Sequence, residues 1–300
     1  MTGRSRAGIT VIRGTLDPAS DPDGYARIRS RGPSAVTIGK FDGVHRAHQV
    51  LLSRTRAEAL QRGMQPGVVT FDAHPHEVLH SADVGYLTTP EERIELFADA
   101  GMEFVLLLRA TRELFSTEAA DFWASLVSGV DCRAIVVGAN FRFGRGAGGD
   151  VTTLTSRDRT AHVQAIIVDL LAGLGHVVSS SRIREELQAG RVDRAADLLG
   201  RPFSVPGLLE ADNGQRWLVK VPSRTALPAP GGYSAHVVFT GFDVQVSQPA
   251  AVMVRASGHE TAQLHVMPHS GLIRSVRHGQ PVRVVFVQRQ PSMLSAEHQR

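Results

Sequence analysis

Through the first two-thirds of the chain, short apolar and β-branched runs alternate with longer stretches of helical character. Ala35 to Ile38 reads as a strand, and the stretch from His45 to Arg62 reads as a helix with Gly63 placed to cap its C-terminus. Gly67 to Phe71 is a second strand. Thr89-Pro90-Glu91-Glu92 is a helix start: a capping hydroxyl, proline at the first position, then acids against the N-terminal dipole. That helix ends near Gly101. Phe104 to Leu108 follows as a strand, Glu118 to Val127 as a helix, and Ala134 to Gly138 and Val163 to Val168 as further strands. Ser181 is expected to cap a helix running to Ala189, with Gly190 after it. Strands alternating with helices of this length imply βαβ units and a parallel sheet covered on both faces, a Rossmann-like α/β fold.

Past Arg201-Pro202 the pattern changes. Trp217 to Val221, His236 to Thr240, Ala251 to Arg255, Gln263 to Met267 and Val282 to Val287 are short strand-like runs. They are separated by Pro- and Gly-containing turns such as Pro228-Ala229-Pro230-Gly231-Gly232, as in a small antiparallel barrel or sandwich. The expected domains are residues 1–202 and 203–300.

Composition narrows the function classes. A chain of 300 residues with 42% hydrophobic and 21% charged content is ordinary globular protein with room for two cores. The single cysteine, Cys132, excludes an intrachain disulfide framework and fits a reducing cytoplasm. Met1 to Gly14 has scattered arginines without an apolar core, so no signal peptide is expected, and no run approaches the length of a membrane span. The net charge of +4 arises within residues 203–300, yet without a basic run or interleaved aromatics. A solvated surface is the expectation there, with neither nucleic acid nor membrane as partner.

The strongest chemical signal lies at the first strand-to-helix junction, Gly39-Lys40-Phe41-Asp42-Gly43-Val44-His45-Arg46-Ala47-His48. In open α/β sheets ligands bind outside the carboxyl ends of the strands, where this segment falls. Two histidines three apart at a helix start share a face with its unpaired N–H groups, a combination suited to a polyphosphate. Taken alone the pair admits three readings: a phosphate site, half of a metal site, or plain surface. The segment is neither a Walker A loop nor a Gly-x-Gly-x-x-Gly fingerprint. Val178-Ser179-Ser180-Ser181-Arg182-Ile183-Arg184 makes a second helix start, with three hydroxyls and two guanidiniums. By itself it also fits an ordinary serine cap with solvated arginines.

These segments resemble the GxFDGVHxGH and ISSTxxR signatures of bacterial FAD synthases, which join an FMN adenylyltransferase domain to a riboflavin kinase barrel. Val68 to Pro75 resembles the family's TF(D/E)PHP strand end, Leu87 to Arg93 its LTT helix start, and Val137 to Gly144 its VGxNFxFG stretch. The likeness runs from Ala35 to Pro202. It implies transfer of AMP from ATP to FMN, with Mg2+, giving FAD and pyrophosphate. His45, His48 and Arg184 are the implied catalytic residues. Gly39, Phe41, Asp42, Gly43, Asn140, Ser180 and Ser181 join them in the implied ATP site. Asp72, His74, Pro75, Phe141 and Phe143 fall on the implied flavin side. No resident protein metal site is implied, because phosphate oxygens and water hold most of a Mg2+ shell. Without the resemblance, His74-Pro75 reads as a strand-end turn and the two phenylalanines as core. Gly144 to Gly149 reads as either a mobile flap or an ordinary turn.

The chain departs from the family at Ala47, at Ser181, where the family has threonine, at Ala73, where it has proline, and in the barrel. Ala47 stands where the family has glycine, and its methyl group crowds a backbone that approaches phosphate. Between Gly207 and Leu227 there is no GxPTAN motif; Arg216 to Pro222 occupies the region. The kinase glutamate position falls at Gln263, or at Glu260 with a gap, and an amide cannot serve as general base. Loss of kinase activity is therefore expected. Two alternatives stay open: a non-catalytic flavin- or nucleotide-binding descendant, and a nucleotidyltransferase for another phosphorylated metabolite.

Overall fold

The computed structural model describes residues 8–80, 85–155, 162–169, 171–173, 176–211, 217–239, 246–255, 263–268 and 277–291. The strand end expected at Thr240, as well as Arg216 and Glu260, lies outside the described residues. The chain forms two compact units, residues 1–84 with 89–178, and residues 85–88 with 179–300.

The first unit begins β1 (Thr10–Gly14), α1 (Pro22–Arg29), β2 (Ser34–Ile38), α2 (Arg46–Arg62), β3 (Gln65–Phe71) and α3 (Pro75–His80). It continues with α4 (Pro90–Asp99), β4 (Phe104–Leu108), α5 (Arg112–Ser116), α6 (Ala119–Gly129) and β5 (Cys132–Gly138). After these come β6 (Arg142–Phe143), β7 (Gly149–Asp150), α7 (Val151–Thr155), β8 (Gln164–Val168), β9 (Ala172–Gly173) and β10 (His176–Val177). Six strands form one sheet in the order β1-β4-β3-β2-β5-β8, with every neighbouring pair parallel. Alternate strand residues feed opposite faces, as the two-residue period requires. Ile12, Val69, Leu106 and Ile135 pack with Tyr25, Ile28, Phe122 and Trp123 on one side. Val11, Val68, Val105 and Leu107 pack with Leu52, Ile94 and Phe97 on the other.

From β2 the chain winds outward in two directions, through β3 and β4 on one side and β5 and β8 on the other. The switch point therefore lies between the carboxyl ends of β2 and β5, where open α/β sheets place their ligands.

Helix ends largely follow the local chemistry. Gly63 takes a left-handed φ of 63° after α2, and Thr89 and Glu92 make a reciprocal capping box at α4. The expected cap at Ser181 is corrected. In the second unit, α8 (Ser180–Gln188) is capped by Ser179, which has an extended backbone and whose Oγ accepts the Arg182 N–H at 3.2 Å. Ser180 and Ser181 are the first two helical residues. The unit continues with α9 (Val192–Leu199), then β11 (Ser204–Ala211), β12 (Trp217–Lys220), β13 (Gly231–Phe239), β14 (Val246–Val254), β15 (Gln263–Pro268) and β16 (Gln280–Arg289). These six close into an antiparallel barrel, β11-β12-β15-β14-β13-β16. Its interior is filled by side chains including Val219, Tyr233, Val237, Phe239, Val252, Val266 and Phe286.

Candidate functional site

Three sequence-marked segments leave the sheet from adjacent strand ends. Ile38 leads into Gly39 to His48, Phe71 into Asp72 to Pro75, and Gly138 into Ala139 to Gly144. The pairings Ile38↔Val69 and Thr37↔Val136 set those exits side by side. The Gly39 N–H still donates to Val69 O at 3.1 Å, so the β2 exit is tied to β3 up to its last residue.

The loop before α2 is tightly wound and buried. Phe41 and Val44 take φ of 52° and 40°, and Gly43 takes 82°. Positive φ is costly for a side chain bearing Cβ, most of all for a β-branched one, so surrounding contacts must enforce it. Phe41, Asp42, Val44 and His45 are all buried. The Phe41 ring meets Phe97 edge-on at 5.4 Å and His48 at 4.9 Å, and the Val44 N–H closes a turn onto Phe41 O at 2.9 Å. Gln49 Nε2 donates to Val44 O at 2.9 Å.

His45 is the cap of α2: its Nδ1 accepts the His48 N–H at 3.4 Å. An accepting Nδ1 places the proton of the neutral ring on Nε2. The two imidazoles stack at 3.6 Å with an interplanar angle of 15°. Burial holds the His48 pKa well below its usual 6.5, with His45, Lys40 and Arg93 adding to the effect. His48 is thus neutral near pH 7, and its Nδ1 is buried without a hydrogen-bond partner. The N–H groups of Arg46 and Ala47, at the first two helical positions, have no acceptor within the helix. Together these groups form a cradle of donors with positive helix-end potential, suited to a phosphate chain.

Beneath the loop lies Arg93 of α4, 4% exposed. Its Nη1 donates to Lys40 O at 2.8 Å and to Thr70 Oγ1 at 3.2 Å, and its Nη2 donates to Phe71 O at 2.9 Å. Thr70 Oγ1 donates to Lys40 O at 3.1 Å. Burial lowers the Arg93 pKa, while Asp42, Glu91 and Asp72 oppose that shift. Sequence reasoning passed over this residue; its signal is the spacing of Arg93 and Phe97, one helical turn apart on a face that addresses the loop.

The residues expected on the flavin side do local work. Asp72 Oδ1 accepts the Ala110 N–H at 2.8 Å, joining the exits of β3 and β4. His74 precedes α3, accepts the His76 N–H on Nδ1 at 3.2 Å and donates its own N–H to Glu77 at 3.3 Å, as a helix cap with Pro75 at the first position. Phe141 and Phe143 stack at 5.4 Å and 15°, with Phe143 buried against Phe122 and Phe141 half-buried. Asn140 is exposed in the turn closed by the Phe141 N–H onto Gly138 O. The glycine-rich stretch is the connection between β6 and β7. Gly144 has φ 72°, and a Cβ there would sit 2.6 Å from the Ala119 backbone, so this connection is packed closely on α6.

Ser180, Ser181 and Arg184 lie on α8, in the second unit. Ser181 is exposed, Ser180 half-buried, and Arg184 Nε donates to Gly85 O at 2.6 Å. Arg182 pairs with Glu185 and with the fully buried Glu186 at 2.8 Å each, and Glu186 also pairs with Arg191. In the barrel, Gln263 opens β15 opposite Lys220 of β12 and is exposed. Among the described residues, no three His, Cys, Asp or Glu gather as metal ligands, and no helix is long and apolar enough to cross a membrane.

A doubly wound parallel sheet with a histidine-bearing helix start at its switch point, followed by a closed antiparallel barrel, defines a Rossmann-like nucleotidyltransferase architecture with a β-barrel unit. Residues 28–182 match the family model described as FAD synthetase, and the chain belongs to that family. A bifunctional riboflavin kinase/FMN adenylyltransferase from Listeria monocytogenes is 29% identical over 174 residues, 57% of this chain and 55% of the relative. The match thus spans little more than half of that protein's length. The Escherichia coli protein of the same description is 29% identical over 214 residues, 69% of this chain and 68% of the relative. The crystal structure of a macrolide-efflux protein from Streptococcus pneumoniae shares the fold. It has a TM-score of 0.79 at 23% identity and covers 96% of this chain and 94% of its own.

Proposed function

We propose that this protein transfers the adenylyl group of ATP to FMN, forming FAD and pyrophosphate, and that it does not phosphorylate riboflavin. The observation that carries the reading is the buried, strained Phe41–Val44 loop delivering two stacked histidines to a helix start at the switch point. An oxygen of the FMN phosphate, whose second pKa is about 6, is largely ionised at neutral pH and needs no protein nucleophile. It forms a bond to the α-phosphorus of ATP while the bond from that phosphorus to the bridging oxygen breaks. The electron pair leaves with pyrophosphate. The protein's task is then positioning and stabilisation of negative charge.

In this reading His45 and His48 donate to the phosphate chain, with Gly39, Phe41, Asp42 and Gly43 shaping the loop. Asn140 helps to hold the nucleotide, and Ser180, Ser181 and Arg184 bind the triphosphate. Asp72, His74, Pro75, Phe141 and Phe143 border the flavin. Mg2+ enters as part of the Mg-ATP substrate, and phosphate oxygens and water supply most of its shell. Residues 1–202 are the transferase domain in this reading, and residues 203–300 a kinase-like barrel without kinase chemistry, for which Gln263 in place of an acid is the support. Ala47 favours a second reading, a nucleotide-binding protein without turnover, because its methyl group stands among the helix-start donors.

Incubation of the purified protein with Mg-ATP and either FMN or riboflavin, followed by chromatography of the flavins, tests the proposal. FAD from FMN and no FMN from riboflavin is the expected result. A folded protein that binds an ATP analogue and yields no FAD would replace it with the second reading.

A further inference from the structure

The geometry points to Arg93 as the positioning residue of the phosphate-binding loop: its buried guanidinium locks the exits of β2 and β3 in register and holds the strained loop in its binding shape. This inference rests on the proposed ATP site and adds a residue that touches no substrate.

Phe41 and Val44 occupy left-handed backbone conformations that a lone loop would abandon. Two contacts from α4 oppose that relaxation. Arg93 binds Lys40 O, the carbonyl just before the first strained residue, and Phe97, one turn further on, presses edge-on against the Phe41 ring. The same guanidinium reaches Phe71 O at the end of β3 and the Thr70 hydroxyl, which itself binds Lys40 O. The planar fork meets two carbonyls and a hydroxyl from two separate nitrogens, Nη1 and Nη2. An ammonium offers its three donors from one atom and does not reproduce that spacing.

Burial supports the same conclusion. A cation only 4% exposed is costly unless its neighbours answer it, and the neighbours here are main-chain acceptors at two strand exits. The capping box of Thr89 and Glu92 fixes the first turn of α4, so Arg93 projects from a rigid base. A fixed positive charge behind the loop also favours a polyanion in front of it. His48, the residue whose buried Nδ1 lacks a partner, lies in the same field.

The test compares wild type, Arg93→Lys and Thr70→Val by calorimetric binding of a non-hydrolysable Mg-ATP analogue, beside steady-state FAD formation. Arg93→Lys keeps the charge and removes the fork. Its analogue Kd and its KM for ATP are expected to rise about tenfold or more per folded molecule, while Thr70→Val shows a smaller rise in the same direction. A residue needed only for stability would lower the thermal midpoint and leave Kd and KM of the folded fraction unchanged. Kd and KM within about twofold of wild type in folded Arg93→Lys would therefore overturn the inference. Where Arg93→Lys does not fold, Thr70→Val decides alone, and wild-type binding in it is the overturning result. Wild type that binds the analogue but forms no FAD refutes the proposed reaction and leaves the binding test of Arg93 standing.

Discussion

His48 shows how burial sets the chemistry of a single residue. With its pKa held well below 6.5, it brings a neutral ring to the proposed phosphate site, able to donate a hydrogen bond without carrying charge. Replacing it by alanine is expected to lower adenylyl transfer about a hundredfold, with far-UV circular dichroism unchanged; turnover close to wild type would remove it from the site. Ala47→Gly is expected to maintain or raise activity, since it removes a methyl group from the helix start at which the proposed site binds phosphate. A marked fall in kcat would show that the cradle is fitted to alanine. Cys132 is the opposite case, a side chain without chemistry. Its thiol is fully buried, with its pKa pushed up to about 12 by burial. It should resist thiol reagents in the native protein and react only on unfolding.

Among the elements, β3 and α4 carry the most specific constraints. Gly67 lies opposite Phe104 of β4, and a Cβ at Gly67 would fall 2.0 Å from that ring. Gly67→Ala should therefore cost about 1–3 kcal/mol in urea unfolding, through overpacking at the centre of the sheet. Thr89→Ala should cost about 1 kcal/mol through loss of the capping box, and it should also weaken nucleotide binding because Arg93 stands on that turn. The barrel strands β11 and β14 carry prolines, and β11 is absent from the strands expected from the sequence. Pro206 is paired with β16, but β11 meets β12 only from Leu208 onward. Pro249 is paired with β13, but β14 meets β15 only from Ala250 onward. Each proline thus stands where one side of its strand has no ladder partner, so the missing N–H breaks no hydrogen bond.

At the scale of the whole molecule, the two units are expected to differ in acid sensitivity. Below pH 6.5 the unfolded chain protonates at His48 and the folded first unit does not, so stability there falls as pH falls. In the second unit the Arg191 hydrogen bond, together with attraction to Arg191 and Arg182, lowers the Glu186 pKa from 4.5. That stabilisation is present above pH 4.5 and is lost as pH falls further. The chain has two tryptophans, one in each unit, Trp123 and Trp217, both buried. Fluorescence of Trp217→Phe should therefore red-shift at a higher pH than that of Trp123→Phe. The reverse order would show that other groups govern acid unfolding.

The sequence by itself determined the α/β class, the change to an all-β unit, and the segments that carry the candidate site. Local physics suffices for these: two-residue and helical periods, caps, and glycine or proline at element ends are readable a few residues at a time. It was also enough to mark His45 and His48, because helix starts after parallel strands are where such sheets bind ligands, whereas Asn140 was marked through the resemblance to FAD synthases. Only the tertiary structure decided the strand order, and with it the switch point that sets the exits of β3, β2 and β5 side by side. It moved the α8 cap from Ser181 to Ser179, since three consecutive serines are alike until backbone geometry selects one. Arg93 had to come from the structure as well. Its partners Lys40, Thr70 and Phe71 are distant in sequence, and no local pattern reports which carbonyls a buried guanidinium will meet.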